Sequence, residues 1–67
     1  MTPLRSRLKK IISGKTMPYS GDMYSNLAYT ILVDVDTVLN NALYDLRDMG
    51  FSHTEIAKVK RLVKKRL

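Results

Sequence analysis

Few side chains in this sequence could act as nucleophiles, general acids or bases, or metal ligands. There is no cysteine and one histidine, His53, so neither a disulfide framework nor a structural zinc site can be built. Asp45 and Asp48 would share a helical face as a carboxylate pair, although such residues ordinarily form a solvated face. The run 13–16, Ser-Gly-Lys-Thr, lacks the earlier glycine and preceding strand of a phosphate loop. We therefore expect no enzyme, no metal site and no cofactor.

Cations are the abundant chemical groups, and they are concentrated at the two ends of the chain. The formal net charge is +6, from 12 Lys and Arg against 6 Asp and Glu. Residues 1–15 contain cations but no acid, and residues 53–67 contain six cations against Glu55 alone. This distribution indicates an acidic partner, and phosphate is the ligand that such clusters neutralise best. The predicted phosphate contacts are Arg5, Arg7, Lys9, Lys58, Arg61, Lys64 and Lys65.

The element expected to organise the fold is a long amphipathic helix in the middle of the chain. Apolar residues stay in phase at 100° per residue from Tyr24 to Met49. Capped by Ser20 or Asp22, this helix would cover about residues 22–49, and its stripe would span roughly 39 Å. Residues 29–35 have the composition of a β-strand, but the sequence offers no partner strand. The β-branched residues make residues 30–37 the least stable turns of the predicted long helix.

A shorter helix is predicted at the N-terminal end, over about residues 3–13. Thr2 could cap it, and Pro3 is tolerated at a first helical position. Gly14 can adopt the left-handed conformation that ends helices. Its apolar stripe is Leu4, Leu8, Ile11 and Ile12.

Another helix is predicted at the C-terminal end, over about residues 53–66. Gly50 would end the long helix, and Ser52 and Glu55 have the spacing of a capping box. Phe51 and Ile56 flank this cap as a hydrophobic staple. The helix would then place apolar residues on one face and Lys58, Arg61, Lys64 and Lys65 on the other.

These elements predict one all-α domain over residues 1–67, with a short helix folded back on each end of the long one. The two basic clusters would then approach each other near the middle of the rod. The long helix would also expose Tyr29, Val33 and Tyr44 near one line. This apolar surplus favours a homodimer in which two long helices pack as a bundle, over a monomer with scattered surface tyrosines.

Two short runs resemble known families. Residues 46–52, Leu-Arg-Asp-Met-Gly-Phe-Ser, look like the Met-Gly-Phe loop of ubiquitin-associated-type domains. Residues 50–58 are similar to the first helix of helix-turn-helix units, which implies DNA binding, but the similarity breaks at Val59, where helix continues in place of a turn. Both runs combine a glycine stop with a capping box, and neither identifies a family.

The interpretation we favour is a nucleic-acid-associated or regulatory accessory protein that contacts phosphate with little base readout. Its small size suggests a phage or mobile-element origin. The alternative is a protein-binding adaptor or inhibitor that docks on an acidic protein, with Tyr29, Val33 and Tyr44 as anchors. A third hypothesis is a membrane-surface helix at residues 53–67. No apolar run has the length of about 18 residues that a membrane span needs, and the N-terminus lacks a signal-peptide core, so we expect a cytoplasmic location.

Overall fold

Four α-helices make up the computed structural model, which describes residues 3–34 and 38–66. They are α1 (Leu4–Ile12), α2 (Met23–Leu32), α3 (Leu39–Asp48) and α4 (His53–Arg66). No strand occurs in the described ranges, so the all-α prediction is confirmed. The first and last helices match their predicted bounds to within one residue. The predicted cap Thr2 and residues 35–37 of the predicted long helix lie outside the described residues.

The prediction of one unbroken helix over residues 22–49 was wrong. Helix α2 ends at Leu32, where Val33 is the C-cap and its N–H donates to the carbonyl of Tyr29. Helix α3 begins only at Leu39, after Val38 in an extended conformation (φ −81°, ψ 130°). The Cα positions span 24 × 24 × 22 Å, far less than a rod of roughly 39 Å would.

The physical reason for this break is that local helix stability there is weak while the gain from folding back is large. Val33 and Val38, which lie just outside the ends of α2 and α3, are β-branched and would lose side-chain freedom in a helix, at a cost of about 0.5 kcal/mol each. Burying a leucine side chain gains roughly 1.5–3 kcal/mol. Separating α2 from α3 lets both halves of the apolar stripe face one core.

That core contains residues from all four helices. Its buried members are Leu8, Ile11, Leu27, Ala28, Ile31, Ala42, Leu43, Leu46, Val59 and Val63. The predicted faces of the helices were therefore correct, although the continuity of the central helix was not. Six residues of the central stripe are buried within a single chain and need no second copy to cover them, while Val33, Val38 and Tyr44 stay exposed.

The helices pack in a ring in which α2 and α3 each contact both α1 and α4. The α2–α4 pair is the most extensive. Neither the α1–α4 pair nor the α2–α3 pair packs as closely, so α1 and α4 take diagonal positions. The expectation that each terminal helix lies on one half of a common rod is thus corrected: each packs against both halves of the former stripe.

The junction between α3 and α4 is built as predicted. Gly50 has φ +100°, and the N–H of Phe51 reaches back to the carbonyl of Leu46 at 3.1 Å, which closes the end of α3. In the capping box, the Glu55 N–H donates to Ser52 Oγ at 3.3 Å and the Ser52 N–H donates to Glu55 Oε1 at 3.1 Å. This pair fixes where α4 begins.

A buried asparagine holds the loop before α2, and the sequence patterns did not indicate it. Asp22 caps α2 by accepting from the Ser25 N–H at 2.8 Å, which resolves the choice of cap. Asn26 is fully buried, accepts from the Tyr19 N–H at 2.8 Å and donates to the carbonyl of Asp22 at 2.9 Å. A buried amide with its hydrogen bonds made orders the segments it joins. Asn26 therefore positions Tyr19.

Candidate functional site

The outer side of α4 has the densest unpaired charge on the described surface. All six of its cations are exposed: Lys58, Lys60, Arg61, Lys64, Lys65 and Arg66. At 100° per residue, Arg61, Lys64 and Lys65 lie opposite the buried Val59 and Val63 and next to one another. We call Lys58, Arg61, Lys64 and Lys65 the α4 face. Its cations share one side of a helix that is 14 residues long.

A groove continues the α4 face toward the start of the helix. It is lined by His53, Thr54 and Ala57 together with Lys58 and Arg61. The short side chains of Thr54 and Ala57 let an extended ligand approach the helix backbone, while the cations reach around it. The α4 face is thus an accessible surface, as contact with a polymer requires.

Ion pairing distinguishes the two basic helices. In the part of the chain that the structure describes, the ion pairs are Arg5 with Asp45, at 3.9 Å, and Arg7 with Asp34. Both cations belong to α1, and none of the α4 face takes part in an ion pair within residues 3–34 and 38–66. Two of the predicted phosphate contacts, Arg5 and Arg7, therefore have acidic partners within the protein, whereas Lys9 is exposed.

The acid on α4 itself is held in contacts at the start of that helix. Glu55 accepts from the Ser52 N–H and from the Tyr24 hydroxyl, the latter at 2.9 Å. These hydrogen bonds, that from the Ser52 backbone foremost, lower the pKa of Glu55 from 4.5. The hydrogen bond to Glu55 raises the pKa of Tyr24. Glu55 thus stays ionised but is directed at the capping box and the α2 side.

The tyrosines of α2 are engaged with cations from α4. Lys58 Nζ lies 4.4 Å from the centroid of the Tyr24 ring, and the Arg66 guanidinium carbon lies 4.9 Å from that of Tyr29. The Tyr29 ring also stacks on Tyr19, with the ring centroids 4.6 Å apart and the planes 27° apart. Because cation–π contacts stabilise the pairs that form them, they fix the edge of α4 against α2.

The three residues predicted as a dimer or partner interface do not form one row. Tyr29 is half-buried in its contacts with Tyr19 and Arg66. Val33 and Tyr44 are 46% and 63% exposed, but Val33 follows α2 and Tyr44 lies on α3. A continuous helix would have aligned them, and the break between α2 and α3 separates them.

A second surface feature surrounds Tyr44. A cleft of about 330 Å³ between α3 and the start of α4 is lined by Asn40, Leu43, Tyr44, Arg47, His53 and Ile56. It combines an apolar base with a large exposed aromatic ring and a cation. Such a combination is typical of protein-docking sites.

Among the described residues, the few groups that could do chemistry do not converge. Asp45 pairs with Arg5 across to α1, while Asp48 is exposed. Within the described ranges, no three or more His, Asp or Glu residues are placed to hold a metal ion. The run 13–16 follows the C-terminal end of α1, where the N–H groups of Lys15 and Thr16 point back to the carbonyl of Lys10. Over residues 3–34 and 38–66, no helix combines the length and apolar character that crossing a membrane requires.

No protein-family model, curated protein or solved structure matches this chain. The resemblances to ubiquitin-associated-type domains and helix-turn-helix units are therefore limited to the short runs that suggested them. Helix α4 continues from His53 to Arg66 without the turn that a helix-turn-helix unit needs at Val59. The membrane-surface hypothesis is also weakened, because Val59 and Val63 on the apolar face of α4 are buried in the core.

Proposed function

We propose that this protein is a nucleic-acid-binding accessory factor whose α4 face contacts the phosphate backbone. The observation that carries this proposal is the contiguous set of exposed cations on one side of α4, which have no ion pair in the described part of the chain. Cations that neutralise phosphates release condensed counterions, and this supplies affinity that does not depend on sequence. We propose a binding role, and among the described residues the candidate catalytic groups Asp45, Asp48 and His53 do not form one site.

The part of α1 in this proposal is smaller than its charge suggests. Arg7 is paired with Asp34, and Arg5 lies 3.9 Å from Asp45, so we assign both arginines to these acids instead of to phosphate contact. Lys9 is exposed and remains a candidate secondary contact. Together with Lys10 and Lys15 it adds long-range attraction to a polyanion.

The direct test replaces Arg61, Lys64 and Lys65 together by glutamine. These side chains point away from the core, so folding should be intact. Affinity for a random-sequence duplex should fall uniformly, by about a hundredfold at physiological salt, because three phosphate contacts are lost. The slope of log affinity against log salt should shrink by about 3 units. Fluorescence anisotropy across a salt series measures both, and circular dichroism checks the fold.

A matched control removes the same charge from the other cationic group, by replacing Lys9, Lys10 and Lys15 with glutamine. These residues are also exposed. If the α4 face makes the contacts, this control should lose clearly less affinity and less salt dependence than the α4 variant. Equal losses would show that net charge, and not the α4 face, drives binding. Unchanged binding in the α4 variant would contradict the proposal.

The cleft at Tyr44 favours a second candidate function, docking on an acidic protein segment. Tyr44 is 63% exposed beside Arg47 and above apolar Leu43, so it can serve as an anchor while the cation attracts the partner. Under this function, Tyr44→Ala should abolish a stoichiometric complex with an acidic protein, while the α4 variant should retain it. A complex that Tyr44→Ala retains and the α4 variant loses would instead place the acidic protein on the α4 face.

We propose that the chain acts as a monomer, which replaces the homodimer expected from a long helix. Six residues of the central apolar stripe are buried by the chain's own helices, and Tyr29, Val33 and Tyr44, the expected contacts to a second copy, do not form one row. Sedimentation at micromolar concentration should show a 7.7 kDa species. A species of twice that mass would restore the homodimer and direct attention to Val33, Val38 and Tyr44, which are exposed.

A further inference from the structure

A cleft beside Tyr19 lies apart from the α4 face and is not used by the proposed backbone contacts. It has a volume of about 280 Å³ and lies between the end of α1, the following loop and α2. Its lining includes Arg7, Lys10, Ile11, Thr16, Tyr19 and Thr30. The cleft thus brings an aromatic ring, aliphatic groups and hydroxyls together with Lys10, while its other cation, Arg7, is paired with Asp34.

The ring of Tyr19 is held in a defined orientation. Its backbone N–H donates to the buried Asn26 side chain at 2.8 Å, and its ring stacks on Tyr29 at 4.6 Å between centroids. Arg66 in turn lies over the Tyr29 ring. An aromatic wall fixed in this way loses little conformational freedom when a flat ligand packs against it.

The charge around the cleft favours an anionic ligand. Lys10 is exposed and has no ion pair within the described residues. It also lines the neighbouring groove with Lys9 and Lys15. On the other side, the Tyr19–Tyr29 stack leads to Arg66 of α4. The cleft therefore lies between the unpaired cations of α1 and the cationic end of α4.

We propose that this cleft receives one nucleotide of a single-stranded nucleic acid, with the base against Tyr19 and a phosphate toward Lys10. The proposal rests on the proposed function and names its substrate class. A ring-bearing anion matches an aromatic wall beside a cation, and every base has a π-face that can stack. A duplex keeps its bases paired and stacked inside, so only an unpaired base can enter.

The decisive experiment compares single-strand and duplex binding in three tyrosine variants. Tyr19→Leu removes the ring but keeps an apolar side chain and the backbone N–H. Its affinity for an oligothymidylate of about ten nucleotides should fall by at least about fivefold, the size of one lost base–aromatic stack. Its affinity for a random duplex should change less than twofold. Tyr19→Phe should bind both as the parent does, because it retains the ring.

Tyr44→Leu is the matched control, since Tyr44 is an exposed tyrosine on α3, outside the cleft. It should lose clearly less single-strand affinity than Tyr19→Leu. If Tyr19→Leu binds the oligothymidylate like the parent, or if Tyr44→Leu loses as much affinity, the inference is overturned. An equal loss of duplex binding in Tyr19→Leu would also overturn it, because that pattern indicates a general change in the protein.

Chemical-shift mapping with small probes distinguishes contacts to the base from contacts to the phosphate. Thymidine monophosphate should shift the amide signals of Thr16 and Tyr19, whereas inorganic phosphate should shift signals near Lys10 without those of Tyr19. No shift at these residues at millimolar probe concentration would contradict a nucleotide site. If inorganic phosphate reproduces all the shifts seen with thymidine monophosphate, the cleft is a simple anion site and not a nucleotide site.

Failure of this inference can be told apart from failure of the proposed function. The Arg61, Lys64 and Lys65 glutamine variant should weaken single-strand and duplex binding alike. If that variant loses affinity while Tyr19→Leu does not, the α4 face binds nucleic acid and the cleft does not. If only Tyr19→Leu loses affinity, and only for single strands, the cleft binds a nucleotide without help from the α4 face.

Discussion

Helices α1 and α4 are both basic and amphipathic, yet the structure gives their cations different surroundings. Each helix buries two residues in the core, Leu8 and Ile11 in α1 and Val59 and Val63 in α4. The arginines of α1 are paired with acids, whereas the α4 face has no ion pair in the described ranges. Two clusters that look alike in sequence therefore differ in the charge they can offer a ligand.

The difference arises from where the acids of the middle segment lie after folding. Asp34 follows α2 and Asp45 lies on α3, and both are brought to the side of α1. On α4, Glu55 is held by Ser52 and Tyr24 at the first turn, away from Lys64 and Lys65. The number of cations in a helix is thus a poor guide to a phosphate-binding surface until its acidic neighbours are known.

The largest expected effect tests whether α1 is held by its apolar face. Leu8 is fully buried, so Leu8→Ala should lower the free energy of unfolding by about 2–5 kcal/mol, through lost transfer energy and a residual cavity. Urea denaturation measures this value. A loss below about 1 kcal/mol would mean that α1 is not anchored in the core and that its ion pairs matter more than we infer.

A smaller loss is expected when the more buried ion pair of α1 is removed. The Arg7 and Asp34 side chains are 37% and 14% exposed, so Arg7→Gln should cost about 1–3 kcal/mol of stability. The matched variant on α4, Arg61→Gln, should stay within about 0.5 kcal/mol of the parent. Equal costs in the two variants, measured by urea denaturation, would remove the distinction between the two helices.

Acid should weaken the start of α4 through Glu55. Because hydrogen bonds lower the folded-state pKa of Glu55 from 4.5, the unfolded state binds its proton more readily in acid. The stabilisation is therefore complete above about pH 5 and is lost as the pH falls through the folded-state pKa. Glu55→Gln keeps a capping-box side chain without the titrating group.

Thermal unfolding between neutral pH and about pH 3 checks this effect. The parent should lose more stability than Glu55→Gln over that range. The variant should retain a residual slope, because the hydrogen bond from the Ser25 backbone also lowers the pKa of Asp22. Parallel curves for the two proteins would show that Glu55 is not held by these contacts in solution.

The smallest effect is expected at the exposed ion pair of α1. Arg5 and Asp45 are 3.9 Å apart, with side chains 59% and 33% exposed. Solvent-exposed pairs of this kind contribute little, so Arg5→Gln should change stability by less than about 0.5 kcal/mol. A loss as large as that of Arg7→Gln would mean that this pair, too, is a main support of α1.

The sequence by itself determined the features that depend on neighbours three to five residues apart. The glycine stop at Gly50, the capping box of Ser52 and Glu55, and the buried faces of all four helices follow from local geometry and apolar period. The exposure of the α4 face follows from the same periodicity. The helix stop, the capping box and the spacing of each face depend on residues close together in the sequence, so they do not require the rest of the fold to be known.

Only the tertiary structure decided where the central helix stops and which cations have acidic partners. A periodic apolar stripe marks a buried face but gives no account of whether one helix or two will bury it. The choice depends on core burial, and the low helix propensity of the β-branched residues near the break, a few tenths of a kcal/mol each, acts in the same direction. The pairing of Arg7 with Asp34 likewise follows from that choice, because it joins segments that become neighbours only when the core forms. The hydrogen bond from Tyr19 to Asn26 spans only seven residues, but it depends on the burial of Asn26 in the folded protein.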